Sequence, residues 1–164
     1  AVELLEKLLR DEVKARMKTD VVSEKKYSDR IMETLRKYHN RAIETAQVIE
    51  ELIDMAKEMD ADLAEAEKLG LNFDEIAFYR ALIQNESAVT ELGDHNLREL
   101  AKYVTEQLRK STTVDWQVRD SVRAKLRNLV RRALRRWKYP PDKADEAVSL
   151  CLKQAEALSE SWMS

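Results

Sequence analysis

The sequence has 164 residues, 44% of them apolar and 37% charged, with 29 lysines and arginines against 31 aspartates and glutamates. Two glycines and two prolines cannot supply the tight turns of an all-β or βαβ chain of this length, so an all-α fold is left. The near-neutral total hides an asymmetry: Glu44 to Glu75 holds eleven acids and two bases, Arg98 to Lys138 thirteen bases and four acids. Such a distribution attracts polyanions at one end and repels them at the other.

Leu4, Leu5, Leu8, Leu9, Val13 and Met17 fall at helical spacing and predict a first helix from about Val2 to Lys18. Thr19 to Ser23 interrupts it, with Ser23 a candidate N-cap. Tyr27, Ile31, Leu35, Tyr38, Ala42, Thr45, Ile49, Leu52, Ala56, Met59, Leu63 and Ala66 then make a heptad seam. That seam predicts one long helix from Glu24 to Leu69, stopped by Gly70. At ~1.5 Å per residue it would be a strut of roughly 65–70 Å. It would pair with a second copy or, more favourably, with the shorter helices that follow.

Asn72 or Asp74 can cap a short helix carrying Ile76, Ala77, Phe78, Ala81 and Leu82. Asn85 to Leu92 reads as a connector or a helical turn. Gly93-Asp94 marks a stop and a new cap before an amphipathic helix through Leu97, Leu100, Ala101, Val104 and Leu108. After a break at Ser111-Thr112-Thr113, Thr113 or Asp115 caps a helix to Trp137, with Val118, Val122, Leu126, Leu129, Ala133 and Trp137 inward. Pro140-Pro141 ends it, and a last helix carries Ala144, Ala147, Val148, Cys151, Leu152, Ala155 and Leu158. The expected fold is all-α, one long helix packed by about five shorter ones, in a single domain over 1–164, because no linker is evident.

Catalytic patterns are missing. Two glycines cannot build a phosphate loop. His39 and His95 stand alone, without metal-ligand spacing. Cys151 is the single cysteine, which excludes an internal disulfide and a multi-thiolate site. It falls on an apolar helix face, where a thiol packs as a small hydrophobe. Its isolation suits a reducing, cytoplasmic compartment. Glu24-Lys25-Lys26, with Asp11 and Asp20 upstream, matches the loose Glu-x-Lys half of many nuclease sites, but on a helix rather than on adjacent strands. Glu50, Glu51, Asp54, Glu58, Asp60 and Asp62 read as a solvated face rather than a metal site. No catalytic residue, metal or cofactor is expected in this chain. No apolar run approaches the ~18–20 residues of a membrane span. The chain begins with Ala, as a processed protein or a fragment of a longer one would, and the fragment is the expected case.

The helix from Trp116 to Lys138 is the most distinctive segment. Arg119, Arg123, Arg127, Arg131 and Arg135 advance by four, and Lys125, Arg132 and Arg136 fill the remaining outer arc. Like charges at i and i+4 repel by roughly 0.2–0.5 kcal/mol per pair, so burial or a partner must offset them. Three readings follow: pairing with the acids of the long helix, a phosphate surface for DNA or RNA, or an acidic face of another protein. Arginine's bidentate fork suits phosphate. Arg119, Arg123, Lys125, Arg127, Arg131, Arg132, Arg135 and Arg136 are the candidate nucleic-acid contacts.

Several phrases occur together in one order: Tyr38-His39-Asn40-Arg41-Ala42 leading to Val48-Ile49-Glu50-Glu51-Leu52-Ile53, Leu71-Asn72-Phe73-Asp74-Glu75-Ile76-Ala77-Phe78-Tyr79, and Asn85-Glu86-Ser87-Ala88. They continue with Leu92-Gly93-Asp94, the block from Val114-Asp115-Trp116 to Leu126, and Tyr139-Pro140-Pro141-Asp142-Lys143. From about Arg16 to Leu158 the chain resembles the C-terminal helical region of the restriction (motor) subunit of type I restriction-modification enzymes. The resemblance implies a parent subunit with a Mg²⁺-dependent nuclease domain and ATP-driven motor domains, ATP and Mg²⁺ belonging to that parent. It implies a non-catalytic tail that docks the motor onto the methyltransferase and specificity subunits and touches double-stranded DNA. The Tyr38 block falls on the strut and the Trp116 block on the basic helix. Tyr38, His39, Arg41 and Trp116 are the candidate partner contacts.

Overall fold

The structure, a computed structural model, describes residues 1–111 and 120–163. Among these are seven α-helices and no strand: α1 (Val2–Met17), α2 (Val21–His39), α3 (Thr45–Leu69), α4 (Phe73–Leu82), α5 (Glu86–Ser111), α6 (Asp120–Arg136) and α7 (Ala144–Met163). A 3₁₀ turn, Pro141–Lys143, precedes α7. The helices form two compact units, Ala1–Lys68 and Leu69–Ser164.

The expected long helix is in fact two. The first unit is built on a reversal at residues 40–44 that separates α2 from α3. Arg41 adopts φ 58°, in the left-handed region. Its N–H donates to the Tyr38 carbonyl at 3.0 Å, and the Ala42 N–H donates to the Lys37 carbonyl at 2.8 Å. This is the Schellman arrangement, which satisfies the last carbonyls of a helix and turns the chain out of it. Glycine is the usual residue there; an arginine in its place hides the stop from a reading that looks for glycine.

The seam is consumed inside this unit. Tyr27, Ile31 and Leu35 of α2 and Val48, Leu52, Met55 and Met59 of α3 are buried in one cluster with Leu9, Val13 and Met17 of α1. On α3 the deep positions are Val48 and Met55 rather than the expected Ile49 and Ala56, because a helix that restarts after a turn does not inherit the phase of the one before it. Leu4 and Leu8 of α1 are exposed, not core. Asp20, not Ser23, caps α2: its Oδ1 accepts the Ser23 N–H at 3.1 Å and its Oδ2 the Ser23 hydroxyl at 2.9 Å.

The second unit packs α4 to α7 around Phe78, Leu82, Leu97, Leu100, Leu108 and Leu126, all fully buried. Asn72 opens α4 with a capping box, its side chain accepting the Glu75 N–H at 2.8 Å while the Glu75 carboxylate accepts the Asn72 N–H at 3.0 Å. Gly93, at φ 77°, breaks α5 in mid-course where the stop was expected. The helical stretch before it, from Glu86, occupies much of the expected connector. The Trp162 ring stacks on Phe78 with centroids 6.2 Å apart, and its Nε1 donates to Asp74 at 2.9 Å, so the end of α7 is tied to the start of α4.

At the end of α6 the Schellman arrangement recurs. Lys138 has φ 60°, its N–H donates to the Arg135 carbonyl at 3.0 Å and the Tyr139 N–H to the Leu134 carbonyl at 2.9 Å. Tyr139 is buried and donates its hydroxyl to the Leu82 carbonyl at 2.7 Å, and burial pushes its phenol up to about 12.

Arg41→Gly should stabilise the chain by about 0.5–1 kcal/mol, the relief of a left-handed side chain less the greater freedom glycine gives the unfolded state. Urea unfolding followed by circular dichroism reads this out; a lower midpoint for the variant would contradict the role of residue 41 as the turn's strained position.

Candidate nucleic-acid interface and hairpin tip

The inner face of α6 is Leu126, Val130, Ala133 and Leu134, all buried, with Val122, Leu129 and Trp137 half-buried beside them. That stripe fixes which way the cations point. Arg123, Lys125, Arg127, Arg131, Arg132, Arg135 and Arg136 are all exposed. Arg123 approaches Glu156 at 3.9 Å and Arg131 approaches Asp145 at 3.6 Å, both across exposed side chains. Such surface pairs are worth ~0–1 kcal/mol and compete weakly with any other anion. Arg136 donates to the Tyr103 hydroxyl at 3.4 Å and lies over its ring at 5.5 Å. Among the described residues, Lys125, Arg127, Arg132 and Arg135 have no carboxylate within 4 Å. Arg119 and Trp116 lie outside the described residues, as do Val118 and the expected caps Thr113 and Asp115.

The other candidate contacts meet at the tip of the α2–α3 hairpin. Tyr38, His39 and Arg41 line an open cleft of about 710 Å³ together with Ile43, Glu44, Thr45 and Ala46. The Tyr38 and His39 rings are tilted at 50° with centroids 5.7 Å apart, and the Thr45 hydroxyl meets the Tyr38 hydroxyl at 3.5 Å. Ile43, Glu44 and Ala46 were not singled out as contacts from the sequence, and Thr45 was read as a seam position, since a continuous helix would have spread these residues around its circumference.

Over residues 1–161 the chain matches the family described as type I restriction enzyme HindI endonuclease subunit-like, C-terminal. The chain belongs to that family. It is 45% identical over 159 residues to the "Type I restriction enzyme HindI endonuclease subunit" of Haemophilus influenzae, covering 97% of this chain and 15% of that protein. It is 30% identical over 132 residues to the "Putative type I restriction enzyme MjaIXP endonuclease subunit" of Methanocaldococcus jannaschii, covering 76% of this chain and 12% of that one. The chain thus spans about one seventh or less of each relative's length. No solved structure matches it.

The family is that of the C-terminal part of such subunits, and the described residues of this chain are helical and turn structure without a strand. Among the described residues no three histidine, cysteine or carboxylate side chains are grouped to hold a metal ion. Cys151 is fully buried and desolvation pushes its thiol up to about 12, so it stays protonated and packs as a hydrophobe. No helix among the described residues is long and apolar enough to cross a membrane. Glu58, Asp60 and Asp62 of α3 are engaged within their own unit, whereas Glu50 and Asp54 face solvent as expected. Glu58 pairs with Lys26 at 3.0 Å and, more closely still, with Arg30; Asp62 accepts from Tyr27 and from Lys26; Asp60 pairs with Arg16 at 2.6 Å. Lys26 and Arg30 are one turn apart, as are Glu58 and Asp62, so an antiparallel hairpin brings the pairs opposite each other. Glu24, Lys25 and Asp11 are exposed and Asp20 is spent as a cap, so the Glu-x-Lys phrase forms no carboxylate site.

Hydrogen bonds from Arg30 and Lys26 hold the Glu58 carboxylate below its ordinary 4.5. A lowered folded-state value means that its stabilising contribution is complete above that pH and is lost as pH falls through the lower value. Glu58→Gln should therefore unfold in urea with a shallower dependence on pH than wild type between pH ~6 and ~3, in line with that linkage. Parallel dependences would show that this carboxylate contributes nothing to stability.

Proposed function

We propose that this chain is the docking and DNA-contact module of a type I restriction motor subunit. In this reading it seats an ATP-dependent translocase and endonuclease on the methyltransferase and specificity subunits, and its α6 helix holds double-stranded DNA. The nuclease and motor chemistry, with ATP and Mg²⁺, resides elsewhere in the parent subunit. The two units here serve as one helical module of a cytoplasmic enzyme and supply surfaces only. The observation that carries the reading is the outer face of α6: seven exposed cations, four of them without a carboxylate neighbour among the described residues. Arginine at this density is energetically idle unless polyanions approach it, and phosphate is the anion its planar fork matches. Family membership supplies the context, since the matched relatives are named as endonuclease subunits of type I restriction enzymes. The hairpin tip, with two rings and a cation around an open cleft, is the complementary candidate for the protein partner.

If six phosphates are neutralised, the logarithm of the DNA binding constant should fall against the logarithm of salt concentration with a slope near −5, at ~0.9 per phosphate. Arg123→Glu combined with Arg127→Glu should reduce that slope by roughly 2 and weaken binding more than tenfold. Fluorescence anisotropy on a duplex oligonucleotide measures both; unchanged affinity would remove α6 as the contact. For the protein partner, the chain should co-elute with the methyltransferase–specificity core from a sizing column, and Tyr38→Ala with Arg41→Ala should abolish co-elution. A wild-type chain that runs separately at every salt concentration would end the docking reading.

A further inference from the structure

Over residues 121–132 the cations of α6 leave the middle of its outer face open, while Arg135 returns to that line further along and the exposed Asp120 lies on the flank of Arg127 and Arg131. At 100° per residue, Arg127 and Arg131 lie on one flank, with Arg123 further round on the same side, while Lys125 and Arg132 lie about 130° away on the other. Between the flanks, over the first half of the helix, sit Ser121, Ala124 and Asn128, all exposed and all small or uncharged. With charged groups ~6–8 Å from the helix axis, two rows 130° apart stand roughly 11–15 Å from each other. The major groove of B-form DNA is ≈12 Å wide and admits a helix; the minor groove, at ≈6 Å, is too narrow to be straddled by these rows.

The same face argues against a single strand. Non-specific single-strand surfaces stack bases on aromatic rings. α6, from Asp120 to Arg136, contains no aromatic residue. A flat acidic protein surface would not favour a neutral strip down the middle of the cationic face, whereas a groove does, because its charge runs along two rims and its floor is uncharged base edges.

We propose that α6 lies in the major groove of duplex DNA, Arg127 and Arg131 on the phosphates of one strand, Lys125 and Arg132 on those of the other, and Ser121, Ala124 and Asn128 over the base floor. This rests on the DNA-contact reading above and specifies its geometry. Arg135 continues the direction of the central strip ~10 Å beyond Asn128 at 1.5 Å per residue, where a straight helix leaving a curved groove meets the backbone again. The floor residues offer one amide and one hydroxyl, too little to specify a sequence; the helix reads groove shape and rim charge, which suits a contact that must tolerate any sequence.

The test is competition on a duplex oligonucleotide, with a groove-filling variant beside it. Methyl green, which occupies the major groove, should displace the chain, and netropsin, which occupies the minor groove, should not. Ala124→Leu with Asn128→Leu fills the strip without changing charge. Both positions are exposed, and circular dichroism verifies that the variant is folded. It should lose at least tenfold in duplex affinity while its affinity for a single strand of the same sequence and its salt slope stay as in wild type. Displacement by netropsin instead of methyl green, duplex affinity within twofold of wild type, or equal affinity for single and double strands would each overturn the groove geometry. Those results leave the phosphate contact standing. If wild type shows no salt-dependent binding to any DNA, the broader reading falls, and this one with it.

Discussion

The outer face of α6 exists because of its inner one. Arg123, Arg127, Arg131 and Arg135 follow one another at four-residue steps, and each step costs roughly 0.2–0.5 kcal/mol in a helix. Leu126, Val130 and Leu134 are at most 2% exposed on the opposite side. Burying one such side chain contributes about 1.5–3 kcal/mol. The apolar stripe therefore outweighs the repulsion several-fold, and the helix persists without any anion to neutralise it. A cationic ridge that depended on its ligand to fold would be available only after binding; this one is presented beforehand. The Tyr139 anchor serves the same end, since a buried hydroxyl bonded to the Leu82 carbonyl stops α6 at a fixed point against α4.

In the first unit the corresponding constraint is the turn at Arg41. Once the chain reverses there, the seam that would have faced outward along a strut is folded onto itself, and Tyr27, Ile31 and Leu35 share a core with Leu52, Met55 and Met59. The consequences reach the charges. Acids that read as a solvated face of a long helix become partners for Lys26, Arg30 and Arg16. Most of the seam is not left over for a second copy of the chain, because Tyr27, Ile31, Leu35, Leu52 and Met59 are already buried. The hairpin also creates its own tip, where residues before and after the reversal line one cleft.

What could be read in advance follows from how local each feature is. The start of α4, the Gly93 break and the Pro141 turn are set by residues within three or four positions of one another and were legible, although the choice of Asn72 over Asp74 as the cap, with its capping box, was not. The amphipathic character of α6 was legible as well, because buried and exposed arcs are fixed by the helix itself, but the deep arc is turned toward Val130 and Leu134, leaving the expected Val122, Leu129 and Trp137 half-buried. The reversal at 40–44 was not, for its decisive residue is an arginine in a conformation that glycine ordinarily takes. With that turn missed, the phase of α3, the core positions Val48 and Met55, and the opposition of Glu58 and Asp62 to Lys26 and Arg30 were all out of reach. Asp20 and Ser23 are both good caps, and only the backbone geometry decides between them.

The candidate interfaces are built on different cores, one on α6 in the second unit and one on the α2–α3 turn in the first. Substitutions that share no partners tend to act independently. In the proposed role, a change that tunes one contact leaves the packing beneath the other untouched. That role also accounts for the missing short motifs. A catalytic site needs specific atoms within hydrogen-bond reach of one another and leaves a recognisable spacing in the sequence. A rim of arginines or the mouth of a helical hairpin needs only the right kind of side chain on the right arc, and many sequences satisfy that. Membership in the type I restriction family is accordingly shown by a match over residues 1–161 and by no single short motif, while the physical content of the chain is buried stripes, turns and a charge pattern.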